Sequence, residues 1–171
     1  MCGIVGAIAE RDVTKILLEG LRRLEYRGYD SAGLAMLTGD KLQLKTVKAV
    51  GKVEKLVTAT NKSKISGSLG IAHTRWATHG KPTLINAHPH LSNNRIAIVH
   101  NGIIENFEEL RATLTKVGYE FSTDTDTETI AHLIHQAREE RDLSLVGAVK
   151  KITKKLQGAY GLCVIDEQEP G

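Results

Sequence analysis

The apolar and polar positions alternate between two periods along this chain, and the changes of period mark its elements. Residues 3–9 are small and apolar throughout, as in a buried strand. From Asp12, an N-cap candidate, apolar residues recur at Val13, Leu17, Leu21 and Leu24. That is the three-and-four spacing of one helical face, and Gly28 bounds it. Residues 33–37 and 42–48 predict a strand pair joined at Thr38, Gly39 and Asp40. Val53, Leu56 and Val57 predict a short helix, 61–67 a polar loop, and 69–73 a further strand.

Residues 76–94 have no period and carry Gly, Pro, His and Asn, which predicts one long loop; loops of that length in compact domains tend to hold function. A strand over 95–100 then runs into Asn101-Gly102. Asn106 with Glu109 makes a capping-box-like start to a helix whose stripe is Phe107, Leu110, Leu114 and Val117, with Gly118 at its stop. A short strand over 119–121 precedes the cluster STDTDTE. A helix follows with Ile130, Leu133, Ile134 and Ala137, then another with Leu145, Val149, Ile152 and Leu156 up to Gly158, and a strand over 159–165. The order β-α-β-β-α-β, then β-α-β-α-α-β, has hairpins and helix pairs in place of strict alternation, so antiparallel sheets covered by helices are expected.

Composition narrows the picture in three ways. At 171 residues and 41% hydrophobic the chain can bury its own core without disulfides or a structural metal. Aromatic residues are only 4%, too few for base-stacking platforms, and the net charge of +3 is too small to indicate nucleic acid. The run Lys150, Lys151, Lys154 and Lys155 falls at a helix end, where cations suit the dipole. The apolar stretch at the N-terminus lacks a preceding basic residue and is followed by Glu10, Arg11 and Asp12, so it is read as neither signal peptide nor membrane span. With two cysteines and no export signal, reduced thiols and a cytoplasmic location are expected.

Cys2 is the most informative position. A cysteine after the initiator methionine becomes the first residue once Met1 is removed, and then carries a thiol and a free α-amine on one Cα. The amine has a reference pKa of about 7.7 to 8.0, so it can serve as the thiol's base near neutral pH. Cys163, inside LCVI, reads as a core residue. Four of the seven histidines lie between His73 and His90, and His88-Pro89-His90 could pair two imidazoles on a metal. No H-E-x-x-H or C-x-x-C accompanies them, and the metal reading is disfavoured. His132 and His135, three apart beside apolar residues, read as surface or packing histidines.

Six ordered strings then carry a resemblance: MCGIVGAI at the start, LEYRGYDSAG (24–33), AHTRWATHG (72–80), NAHPH (86–90), VHNGIIEN (99–106) and TDTE (125–128), with QGAYGLCVID (157–166) in addition. Together they resemble the glucosamine-6-phosphate synthase family, in its glutaminase domain of the N-terminal-nucleophile, class II glutamine amidotransferase type. The opening string would fit any such amidotransferase; RGYDSAG and HTRWATHG point to the sugar-phosphate branch. The resemblance implies an α+β fold, a four-layer α-β-β-α sandwich of the N-terminal-nucleophile hydrolase type, truncated at its C-terminal side, with residues 1–171 as one incomplete glutaminase domain and no sugar-isomerase region.

The same resemblance implies the site. Cys2 attacks the side-chain amide of L-glutamine, and Asn101 and Gly102 form the oxyanion hole. Arg75 takes the α-carboxylate, for which a planar guanidinium fork is suited where lysine is not. Thr78 and His79 line the glutamine pocket. Asp126 holds the substrate ammonium and is preferred to Asp124 because it directly precedes Thr127-Glu128. Arg27 and Gly28 sit beside the nucleophile, and Trp76 lies where ammonia leaves. No cofactor and no metal are implied. The implied partners are glutamine, a C-terminal sugar-isomerase region of the same polypeptide and, at full length, a second copy in a homodimer; neither nucleic acid nor membrane is expected. The competing reading is an inert glutamine-binding module or incomplete domain, which would follow if Met1 stays attached or if missing C-terminal strands are needed to order the site.

Overall fold

The computed structural model describes residues 2–77 and 80–170, the side chain of Arg141 excepted. Its elements are β1 (Gly3–Ile8), α1 (Thr14–Leu24), β2 (Ser31–Thr38), β3 (Gln43–Val50), α2 (Val53–Ser63), β4 (Leu69–Arg75), β5 (His90–Ser92), β6 (Ile96–Gly102), α3 (Phe107–Lys116), α4 (Asp126–Arg141), α5 (Leu145–Thr153) and β7 (Tyr160–Asp166), with a 3-10 turn at Glu25–Arg27. Two antiparallel sheets form, ordered β1-β4-β2-β3 and β5-β6-β7.

The period-2 pattern of the strands explains why four layers result. On β2, Leu34 and Met36 face α1 and α2 and join Leu17, Leu21, Val53 and Leu56 in one core cluster. The intervening Ala35 and Leu37 face the other way and meet Ile71, Ala97, Val99 and Ile165 between the sheets. On β6 the same alternation sends Ile96 and Ile98 to a third cluster with Ile104, Leu114, Ile130, Ile134 and Ile152 under the helices α3, α4 and α5. Each of these large side chains contributes about 1.5 to 3 kcal/mol on burial, so both sheets are fixed on two faces. The order of layers is therefore helices, sheet, sheet, helices, the expected α-β-β-α sandwich.

Several local expectations need correction. Helix α1 starts at Thr14, and the N-cap position is Val13; Asp12 accepts from Thr14 Oγ1 and from Ser66 Oγ and Gly67 N, so it ties the helix start to the loop before β4. Asn106 precedes α3 but makes no side-chain cap: its amide donates to Lys155 O and accepts from Gln157 N, 49 and 51 residues away. Residues 119–121 form no strand; Tyr119 and Phe121 pack their rings on His132 and His135 instead. The long aperiodic segment contains a short strand, β5, and α5 ends at Thr153, before Leu156.

Helix α4 buries its expected residues Ile130, Leu133, Ile134 and Ala137 and polar ones besides. It is buried continuously from Asp126 to His135, because β5 and β6 cover one side and α3 and α5 the others. His132 and His135 are packing residues, not surface ones: His132 bonds Ser92 Oγ and Glu120 O, and His135 bonds Tyr119 Oη and Asn93. Cys163 is half-buried against the inter-sheet cluster, and burial raises its thiol above the ordinary value.

One glycine lets the aperiodic segment lie on the sheet. A Cβ at Gly33 would stand 2.2 Å from the carbonyl oxygen of His88, so only glycine admits this approach of loop backbone to β2. No helix among the described residues is long and apolar enough to cross a membrane.

Candidate functional site

The site forms at one end of the sandwich, where β1 begins and β4 and β6 end. Cys2 directly precedes β1, whose first pair is Gly3 with Thr74, so the thiol is carried to the C-terminal end of β4. There Trp76 N donates to Cys2 Sγ at 3.2 Å. From the second sheet, Asn101 at the end of β6 donates through Nδ2 to Cys2 O at 3.3 Å. The sequence places these three residues 74 and 99 positions from one another, and only the pairing of β1 with β4 and the stacking of the sheets unite them.

A small cavity opens beside the thiol, lined by Cys2, Arg75, Trp76, His88, His100, Gly102, Thr125, Asp126 and Thr127. Arg75 is 3% exposed at the last position of β4. Its guanidinium donates weakly to the carbonyls of Lys81 and Gly80 at 3.4 and 3.5 Å and stands 3.9 Å from Asp30 Oδ1. Asp126, 4% exposed, opens the first turn of α4, a position where the helix dipole favours an anion. Its Oδ2 accepts from Ile104 N at 2.9 Å, which joins α4 to the segment after β6.

Gly102 has φ of +123° and a Cβ there would meet the carbonyl oxygen of Ala159 at 2.2 Å, so a side chain is excluded by backbone on both counts. Gly102 follows Asn101 at the end of β6 and lines the cavity. Trp76 is 55% exposed and lies against Gly28, whose added Cβ would touch the indole at 3.0 Å. Arg27 is exposed, with its guanidinium over the Tyr26 ring, and does not line the cavity. Asp124 turns away: its carboxylate accepts from Asn86 Nδ2 and its N–H donates to Asn86 Oδ1. The expectations for Met1, Thr78 and His79 lie outside the described residues.

Sequence reasoning passed over a second set of residues. Asp30, inside RGYDSAG, accepts from Ala77 N and faces Arg75, tying the turn after β4 to β2. Thr127 Oγ1 lies 2.9 Å from both His88 Nε2 and His100 Nδ1 and donates to Asp126 Oδ1 at 3.4 Å, so both imidazoles act as its donors. His90 bonds Thr125. His73 Nε2 stands 2.8 Å from Asn101 Oδ1. Burial is the largest cause holding His73, His88 and His90 neutral: His73 is lowered to about 4, and His88 and His90 lie well below 6.5. The signal available was that four histidines occupy strand ends or their flanking loop, but sequence alone assigns such residues equally to metal binding.

Among the described residues no three histidine, cysteine or carboxylate side chains are arranged to hold a metal ion. A larger cleft of about 710 Å³ has Lys48, His90, Glu128 and His132 on its walls, without Cys2, Arg75 or Asp126. There the buried Glu128 supplies the charge opposite Lys48, whose ammonium burial lowers to about 8.

Comparison with known proteins gives this geometry its family. The chain is 54% identical over 171 residues to a glutamine--fructose-6-phosphate aminotransferase (isomerizing) of Photorhabdus laumondii, covering 100% of this chain and 28% of that protein. It is 58% identical over 170 residues to the corresponding protein of Idiomarina loihiensis, again 28% of its length. The chain thus spans 28% of the length of these curated relatives. Among solved structures, glutamine phosphoribosylpyrophosphate amidotransferase from B. subtilis superposes with a TM-score of 0.81 at 29% identity, over 98% of this chain and 35% of that one. A second, described as the allosteric regulatory enzyme of purine biosynthesis, gives 0.82 at 29% identity, over 98% and 36%. The model of the glutamine amidotransferase domain matches residues 73–170, more than half of the chain, and the chain belongs to that family.

Proposed function

We propose that residues 1–171 are a glutaminase domain that hydrolyses the side-chain amide of L-glutamine through a thioester on Cys2. The observation that carries this reading is the convergence on one cavity of a thiol, a buried guanidinium and a buried carboxylate, with Asn101-Gly102 at the end of β6 alongside. Arg75 suits an α-carboxylate in two-bonded geometry, and Asp126 suits an α-ammonium on the same substrate. A ligand with both charges on one carbon and an amide at the far end of a short chain fits this arrangement.

With Met1 removed, the α-amine of Cys2 takes the thiol proton as Sγ attacks the amide carbon. The carbonyl oxygen becomes negative and is met by Asn101 Nδ2–H and Gly102 N–H, aimed where charge develops. Collapse of the adduct breaks the C–N bond, the ammonium returns its proton to the leaving nitrogen, and ammonia departs. Water then attacks the thioester, gives its proton to the amine, and releases glutamate with the thiol restored. The wall formed by the described residues encloses about 10 Å³, close to one water. Trp76 is the exposed part of that wall.

The relatives named above convert fructose 6-phosphate with glutamine, as their names state. We extend that reading to the parent polypeptide: ammonia passes to a sugar-isomerase region of the same chain, which assembles as a homodimer in the cytoplasm. The direct test is an N-terminal mass measurement with and without a glutamine-mimicking electrophile, paired with an assay of glutamate release. Loss of Met1 and a single adduct on Cys2 support the reading; an adduct on Cys163 alone, or glutamate release with Met1 in place, overturns it.

A further inference from the structure

His73 occupies the middle layer of the sandwich. It lies on β4, paired with Ile4 on β1 and Gly33 on β2, and it is fully buried. Its ring stacks on His88 at 4.1 Å between centroids and does not line the cavity that holds Cys2, Arg75 and Asp126. Yet its Nε2 is 2.8 Å from Asn101 Oδ1, across the gap between the sheets.

The two contacts of Asn101 fix the protons on both residues. Cys2 O is a carbonyl and can only accept, so the Asn101 atom facing it is the NH₂ group. The atom facing His73 is then the amide oxygen, and His73 must carry its proton on Nε2. An asparagine amide has nearly the same shape in its two orientations, so shape alone does not choose between them. Turned over, Asn101 would set its oxygen against Cys2 O and against the oxygen that becomes negative in the reaction. The inverted orientation is opposed at both ends, by Cys2 O and by the His73 N–H, which would then face an NH₂ with no acceptor.

We propose that His73 is a positioning residue: its Nε2–H holds the Asn101 amide so that Nδ2 faces the oxyanion site. It touches neither substrate nor nucleophile, and its effect runs wholly through Asn101. This rests on the oxyanion role assigned to Asn101 above. Burial keeps the ring neutral through the working pH range, so the tautomer does not titrate away while the enzyme turns over.

The experiment uses the full-length polypeptide that carries this chain, with Met1 removed. His73→Leu preserves bulk and apolar packing but removes the donor; His73→Gln restores an N–H of similar reach. For His73→Leu we expect kcat for glutamine hydrolysis to fall on the order of tenfold or more, with KM within a factor of about two, because the lost contact matters in the transition state. Alkylation of Cys2 by iodoacetamide, which builds no oxyanion, stays at the parent rate. Affinity for glutamate γ-semialdehyde, whose thiol adduct places an oxygen anion at that position, falls together with kcat. His73→Gln recovers most of the loss.

A double-mutant cycle separates the possible failures. In an Asn101→Ala background His73→Leu should cause no further fall in kcat. If Asn101→Ala itself leaves kcat near the parent value, the oxyanion assignment falls. If Asn101→Ala is impaired but His73→Leu is not, or if both effects multiply, the positioning role of His73 falls while the oxyanion assignment stands. Should His73→Leu fail to fold, His73→Gln with and without Asn101→Ala decides the matter: near-parent kcat for the single variant supports the proposal, and a loss as deep as that of Asn101→Ala refutes it.

Discussion

The carboxylate of Glu128 offers a quantitative test of how the start of α4 is held. Oε1 accepts from Ser122 N and Ser122 Oγ at 2.9 and 2.8 Å, and Oε2 accepts from Thr123 N and Thr123 Oγ1, both at 2.8 Å. The residue is 3% exposed, so no water replaces a lost partner cheaply. In Glu128→Gln one oxygen becomes an NH₂ group. The hydroxyl on that side can rotate to accept, but the backbone N–H cannot, and it is left facing a donor. Loss of one or two hydrogen bonds to a charged acceptor, at about 1.5 to 3 kcal/mol each, predicts a destabilisation of about 3 to 4 kcal/mol. For a chain of this size about 2 to 4 °C accompany each kcal/mol, so the melting temperature should fall by roughly 10 °C. Asp126 and Thr127 share that first turn, so KM for glutamine should rise as well. Scanning calorimetry at pH 7.5, where the buried histidines are neutral, reads the first effect and steady-state kinetics the second. A melting temperature within about 2 °C of the parent would refute the view that this carboxylate organises the turn.

The pH dependence of stability should show the buried histidines. His73 is lowered to about 4, and His88 and His90 lie well below their unfolded value of about 6.5, so the unfolded chain binds more protons. Their contribution is therefore full above about pH 6.5 and is lost as pH falls toward 4, by up to about 4 kcal/mol per pH unit for the three together. Urea titrations at pH 7.5, 6 and 5 check it, and equal midpoints would contradict the neutral assignment. Arg75→Lys should weaken glutamine use mainly through KM, since a point ammonium cannot reproduce the fork; an unchanged KM removes Arg75 from the pocket. A chain that keeps Met1 should release no glutamate, because its α-nitrogen at Cys2 is an amide, and once processed its kcat/KM should rise with pH through a group at or below about 8.

How much of this was legible beforehand depended on whether the signal was local. The strand patterns over 42–48 and 95–100 and the three-and-four spacing of α1 are local, and they specified strands and helices; the four-layer sandwich was implied by the family resemblance. Asn106 and Glu109 carry a convincing local capping pattern, yet Asn106 is used by Lys155 and Gln157, because a polar side chain bonds whichever partner the fold brings nearest. For the same reason Tyr119 and Phe121 look like a strand but spend their rings on His132. The apolar stripe of α4 was legible at Ile130, Leu133, Ile134 and Ala137, but the burial of the polar residues between Asp126 and His135 was not, because strands and helices distant in sequence cover them.

The sequence by itself determined which side chains could do chemistry: a cysteine one position after the initiator, an arginine fork, a choice of two aspartates in TDTDTE and an Asn-Gly pair at the end of a strand. These are statements about functional groups and short-range order, and both are written in neighbouring residues. Tertiary structure alone decided which of the groups meet. Pairing of β1 with β4 brought Cys2 to Trp76, stacking of the two sheets brought Asn101 to Cys2 and His73, and the start of α4 turned Asp126 inward while Asn86 held Asp124 outside. Contacts across 28 to 99 residues depend on strand register and on the packing of separate layers, and no local pattern encodes either distance or direction between layers.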